Sequence, residues 1–283
     1  MKLILKIVVL IIVLVCPLMA QSTLQLKVEI QKDTFLVGEL IDVGVSVINT
    51  GTSFIHADLD GKMLIKVKDE NNNEVPYVGP AGNYFSLLKQ DFNPKEEDFR
   101  LFVLNSYYGI KFTPGRPETY LNPGQYTLEV TFYPPNMKQQ NIKIPFRVIL
   151  PEGDELIVYN TFSGLLTKPY KVNELVKMMQ ALYETYPNSI YQPLVLNELE
   201  ALYFVWLKNS EKADFYRREL VEKYSWSGST ADVLEGLLRK MASNSEQIEY
   251  LKKLKAKGGN SLMQKKLGKM LEAKQAESLN NVH

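Results

Sequence analysis

"LNPGQYTLEVTFYPP", residues 121–135, opens on a turn and continues as a strand. Pro123 presets the backbone for a tight turn, and Gly124 relaxes the next position. From there Tyr126, Leu128 and Val130 fall on one side, while Thr127, Glu129 and Thr131 fall on the other. Period two over such a run marks a strand with one buried face. The same rhythm recurs upstream. "LQLKVEI" (24–30) points Leu24, Leu26, Val28 and Ile30 in one direction, and "IDVGVSVIN" (41–49) repeats this with Ile41, Val43, Val45 and Val47. "MLIKVKDENNNEVPYV" (63–78) reads as a strand, a polar turn at Glu70–Asn73 and a second strand. Further strands are expected at 99–104, 125–132 and 141–150, and "NTGTS" (49–53) supplies another turn. Short strands joined by turns, with no helical stretch among them, predict an antiparallel β-sandwich.

Two features resemble immunoglobulin-like sandwiches. Tyr126, just after Pro123-Gly124 and at the start of a late strand, is similar to the tyrosine corner, whose hydroxyl reaches back to the corner backbone. Without that resemblance it reads as an ordinary exposed strand tyrosine. "DTFLVGELIDVGVSVINTGT" (33–52), an extended lead-in and then an alternating strand that ends in Asn and a turn, resembles bacterial immunoglobulin-like modules. Proteinase-inhibitor-type and macroglobulin-type modules are among them. The resemblance implies a scaffold and brings no catalytic residue.

Near "LPEGDELIVYN" (150–160) the rhythm changes. Val172, Leu175, Val176, Met179, Leu182, Tyr183 and Tyr186 step by three and four, the spacing of one helix face, until Pro187-Asn188 stops them. The next helix begins near Pro193 and is apolar on nearly every side by "ALYFVWL" (201–207), which predicts the buried centre of this half. Asn209 or Ser210 caps a third helix carrying Ala213, Tyr216, Leu220 and Tyr224; Ser229 or Thr230 caps a fourth with Leu234, Leu237, Leu238 and Met241. Helices continue through 245–257 and 261–274 around Gly258-Gly259. "LYETYPNS" (182–189) and "LVEKYSWS" (220–227) end their helices alike, and "SEKADFYRRELVEKY" (210–224) is similar to the second helix of tetratricopeptide (TPR) repeats. An ordinary helical bundle fits the same residues. The expected organisation is a signal peptide at 1–20, a sandwich at 21–150, a linker or first helix at 151–170, and an all-α domain, TPR-like or bundle, at 171–283.

"MKLILKIVVLIIVLVCPLMA" (1–20) carries Lys2 and Lys6, an apolar run from Ile7 to Val15, then Pro17 and Ala20. That is the layout of a secretory signal, with an apolar core short for a bilayer span. The chain is therefore expected to be exported (periplasmic, cell-surface or extracellular), with no membrane span after cleavage. Bulky Leu18 keeps an uncleaved anchor open as the rival reading. Cys16 is the single cysteine and Val15 precedes it, where lipoprotein signals carry a small residue. Loss of the leader then removes every thiol, and with it disulfides, thiolate nucleophiles and cysteine metal sites. The 33 Lys and Arg against 32 Asp and Glu argue against nucleic acid as a partner.

Candidates for chemistry are few. The two histidines are His56 and His283, so a histidine triad would need His56, which sits by a strand end and reads as structural. Zinc needs more nitrogens or thiolates than the chain can gather. Asp58 and Asp60 in "DLDG" resemble the start of a calcium loop, but Met63 stands where the EF-hand turn needs glycine, so a hydrogen-bonded turn is the reading. "YLKKLKAKGGNSLMQKKLGKMLEAK" (250–274) is either the solvated side of two helices or a surface for anionic partners. Tyr107, Tyr108 and Tyr120, in the aromatic stretch 105–120, are the candidate binding loop, since tyrosine joins apolar area to a polar tip. The expectation is an exported, non-enzymatic binding or scaffolding protein of a bacterial envelope. It would act through protein–protein contacts, with no catalytic residue, cofactor or metal. The alternatives are a proteinase inhibitor acting through the sandwich and a glycan-binding module acting through the tyrosine loop.

Overall fold

The computed structural model describes residues 24–57, 63–75, 84–85, 91–104, 121–134, 138–259 and 261–280. Their strands are β1 (Leu24–Ile30), β2 (Thr34–Leu36), β3 (Asp42–Asn49), β4 (Ile55–His56), β5 (Met63–Asp69), β6 (Tyr84–Phe85), β7 (Asp91–Phe92), β8 (Glu97–Val103), β9 (Gly124–Phe132) and β10 (Gln140–Ile149). One sheet has the order β1-β3-β8, a second β2-β10-β9-β5-β6, and β4 pairs with β7. Pairing is antiparallel except between β2 and β10. The alternating apolar residues meet in one core: Leu26, Val45, Val67, Leu128, Val130 and Phe146 all belong to it. Of the second strand expected after the 70–73 turn, Glu74 bridges back to Lys68 and Val75 N–H donates to Val67 O at 2.8 Å. Positions 76–78 lie outside the described residues.

Local chemistry explains several of these residues. Gly38 takes φ +80°, open to glycine without cost, and lets Glu39 fold back so that its carboxylate accepts Leu36 N–H at 2.9 Å. Asn49 is buried; its Nδ2 donates to Ser53 O and Phe92 O, and its Oδ1 accepts Gly51 N–H at 2.9 Å, so one side chain knots the turn. Tyr126 Oη donates to Asn122 O at 2.8 Å while its ring stacks on Phe146. Tyr126→Phe removes that bond and keeps the ring, so urea unfolding should show a loss of about 1 kcal/mol.

The helices are α1 (Gly153–Thr167), α2 (Val172–Thr185), α3 (Gln192–Ala201), α4 (Ser210–Lys223), α5 (Thr230–Arg239), α6 (Asn244–Ala256) and α7 (Ser261–Asn280). Pro stands in the first turn of α3, where its missing N–H is harmless. Asn209 caps α4 by accepting Lys212 N–H at 3.0 Å. Ser243 caps α6 in the same way. Ser229 precedes α5 without a capping bond, and Thr230 Oγ1 donates to Ser227 O at 2.7 Å instead. The expected buried centre at 201–207 needs correction. Leu202 and Tyr203 are buried, but residues 202–206 form a π-helical turn that leaves Phe204, Val205 and Trp206 exposed. The wider turn closes with Leu207 N–H donating to Leu202 O. One extra residue per turn rotates the side chains beyond it away from the core.

The two halves are in contact. Alternation predicts that β3 shows its polar side to water, yet Asp42, Gly44 and Ser46 are all buried. Asp42 Oδ2 accepts Gly228 N–H, from the turn before α5, at 2.8 Å. Leu262 of α7 lies against Gly44. Lys265 Nζ donates to Ser46 Oγ at 3.1 Å and to Glu97 at 2.6 Å, and stands 4.5 Å above the Phe99 ring. Tyr191 Oη donates to Val37 O at 2.7 Å. Burial pushes the Glu97 carboxyl up, but the bonds from Lys265 and Ser46 outweigh it and hold it below its usual range.

Candidate functional site

A polar and aromatic cluster runs between α2 and α4. Gln180 Nε2 donates to Tyr216 Oη at 2.7 Å and to Tyr203 Oη at 3.4 Å, and the two rings stack 5.5 Å apart. One turn on, Tyr183 Oη donates to Glu219, and Lys223 Nζ donates to Tyr183 Oη at 2.8 Å and pairs with Glu219 at 2.5 Å. The Glu219 and Tyr183 contacts raise the Lys223 ammonium above its ordinary range and keep it charged. Tyr224 Oη donates to Pro187 O, and burial pushes that phenol up to about 12. Lys212 stands over the Tyr203 ring, and on the same helix Phe215 is 51% exposed. Side chains locked this way present a fixed surface, with little rotamer freedom left to lose on binding.

The π turn presents the other apolar group. Phe204 is 49%, Val205 48% and Trp206 67% exposed. Arg217 stacks its guanidinium 5.0 Å from the Phe204 ring centre and binds Glu200 and Asp214; Asp214 in turn holds Lys240 at 2.8 Å. These bonds, led by that from Lys240, keep the Asp214 carboxyl below its usual range. Ionic contacts thus tie α3, α4 and the end of α5 around an aromatic turn that faces water. On α3 itself, burial raises Glu198 to about 7, and its carboxylate has no hydrogen-bond partner among the described residues.

The sequence had placed its candidates elsewhere. Tyr107, Tyr108 and Tyr120 lie outside the described residues, as do Asp58 and Asp60. His56 Nδ1 meets Asp91 Oδ1 at 2.7 Å on the exposed β4–β7 pair, a cross-strand contact. Among the described residues no group of three His, Cys, Asp or Glu lies close enough to hold a metal ion. The basic stretch is largely engaged: Lys265 and Lys269 with Glu97, Lys266 with Glu235, Lys253 with Glu222. Its alternation of Lys with buried Leu251, Leu254 and Leu267 was the signal for helices packed on one side. No helix among the described residues is long and apolar enough to cross a membrane.

No protein-family model matches the chain, and no curated protein sequence matches it. Solved structures give partial likenesses. The CARDB domain of the PF1109 protein of Pyrococcus furiosus aligns at 16% identity over 46% of this chain and 96% of that one, with a TM-score of 0.29. A beta-glucosidase of Listeria innocua aligns at 16% identity over 45% of this chain and 16% of that one, with a TM-score of 0.28. The sporulation control protein Spo0M of Bacillus subtilis aligns at 12% identity over 51% of this chain and 56% of that one, with a TM-score of 0.26.

Proposed function

We propose that this is an exported, non-enzymatic binding or scaffolding protein of a bacterial envelope, in which an immunoglobulin-like sandwich carries a TPR-like helical domain that engages a protein partner. The exposed aromatic turn Phe204–Trp206, braced by Arg217, carries the reading. Large apolar side chains held rigidly in water are what interface hot spots are made of. The sandwich is supported by strand order. β1-β3-β8 and β5-β9-β10 match the A-B-E and C-F-G groupings, and the Tyr126 corner sits at the start of the F equivalent. The repeat is supported by matching helix ends: Tyr186 N–H donates to Leu182 O at the close of α2, as Tyr224 N–H does to Leu220 O at the close of α4.

The test is capture of partners from envelope extract by the full mature chain and by a Phe204→Ser, Trp206→Ser variant. Both positions are exposed, so the variant should keep its unfolding midpoint while the specific partner is lost by roughly tenfold or more. Equal capture by both forms, or no specific partner at all, would remove the proposal. For export, amino-terminal sequencing of the protein recovered outside the cytoplasm is expected to start at Gln21.

A further inference from the structure

Helix α1 turns Val158, Phe162 and Leu165 into the core, and its other side carries no charge: from Leu156 to Thr167 there is no Asp, Glu, Lys or Arg. Leu156 is 39% and Ile157 48% exposed, and Asn160 and Thr161 are exposed beside them. A methyl group added to Gly164 would meet nothing within 4 Å. The water-facing side of a helix is ordinarily polar and charged, so an uncharged one with two bare aliphatic side chains marks a surface for another molecule. The charges stand at its ends. Glu152 lies just before the helix and Lys168 just after it; both are exposed, and neither makes an ion pair among the described residues. Glu152, Leu156, Asn160, Gly164 and Lys168 follow at every fourth position, the ridge along which helices most often pack.

We infer that the occupant of this face is a second copy of the chain, the two α1 helices packing antiparallel about a two-fold axis at Asn160. In that register the ridge is complementary to itself. Asn160 meets its own counterpart, amide to amide. Leu156 of one copy fills the space over Gly164 of the other, and the Glu152 carboxylate faces Lys168 of the other copy. The two-fold makes the leucine and charge contacts twice. A parallel pair would set Glu152 against Glu152 and Lys168 against Lys168, and would leave the space over Gly164 unfilled. The face is on a different helix from the aromatic turn, and either assignment can fail alone.

The experiment is sedimentation velocity of the full mature chain over a range of roughly 1 to 200 μM. A reversible dimer with a Kd in the micromolar range is expected, as suits an interface built on one helix from each copy. Gly164→Gln should weaken the dimer by roughly tenfold or more. The same change should hold or raise the unfolding midpoint of the dilute monomer, because glutamine is the better helix former and has open space there. Glu152→Lys and Lys168→Glu should each weaken the dimer severalfold, and the double variant should restore it. The Phe204→Ser, Trp206→Ser variant should dimerise as the parent does, which separates self-association from capture of an envelope partner. A chain that stays monomeric throughout would overturn the inference. So would a dimer that Gly164→Gln leaves intact, one that the double charge reversal fails to restore, or one that is lost with the aromatic turn.

Discussion

Gly228→Ala is expected to loosen the helical half from the sheets and to lower the unfolding free energy by roughly 2–4 kcal/mol. A methyl group at this position would stand 2.4 Å from Asp42 Oδ1 and 2.8 Å from its Cγ, so one side of the contact must move. Asp42 cannot yield freely. It is 1% exposed, and its carboxylate accepts the Gly228 N–H, so retreat leaves charge in a dry site with a donor withdrawn. The φ angle of Gly228 lies within the range any residue adopts, which makes the obstacle one of space. Asp42→Asn is the companion variant. It keeps an acceptor and the shape, and should cost clearly less than Asp42→Ala. Urea unfolding of the full chain measures all three, and a Gly228→Ala protein as stable as the parent would show that the halves do not rely on this contact.

The second large effect runs the other way. Glu198→Gln should stabilise the protein at pH 8 by on the order of 1–3 kcal/mol and flatten its pH dependence. Burial raises the Glu198 carboxyl from 4.5 to about 7, so the folded chain holds a proton that the unfolded chain has released. Between those two values each step up in pH favours the unfolded state, and above about 7 the loss is complete and constant. Glutamine occupies the same volume with nothing to ionise. Unfolding free energies of the two proteins at pH 5 and pH 8 decide the matter: the gap between them should widen with pH, and an unchanging gap would place the Glu198 carboxylate in water.

Much of the architecture was legible because it rests on short-range periodicity. β1, β3, β5, β9 and β10 follow period two, and α2, α4 and α5 follow steps of three and four, with Asn209 announcing α4. The Pro123-Gly124-x-Tyr126 run yielded a specific hydrogen bond. Contacts between distant segments were not legible. Asp42, Gly44 and Ser46 alternate with valines as a solvated face would, and only the approach of Gly228 to Asp42, Leu262 to Gly44 and Lys265 to Ser46 gives them their role. Three small or polar residues in a row of alternate positions suit water and suit a docked helix equally well. β2 has three residues, too few for a period. The run at 201–207 misled because apolar residues all round a helix signal burial only while the helix keeps its pitch, and the π turn does not. For the site, the sequence identified tyrosine as the residue type to follow, but Tyr183, Tyr203 and Tyr216 became a cluster only through packing.

The covering of β3 by α7 also sets an order of assembly. During synthesis the sheets leave the ribosome first, and their outer face waits for a helix made last of these elements. In that interval Gly44, Ser46 and Phe99 stand uncovered by α7, and a nascent chain stalled before Ser261 would carry a sticky, half-finished flank. Long-range closure of this kind is slow, so the exposed interval, more than the finished molecule, is where aggregation or a chaperone would compete.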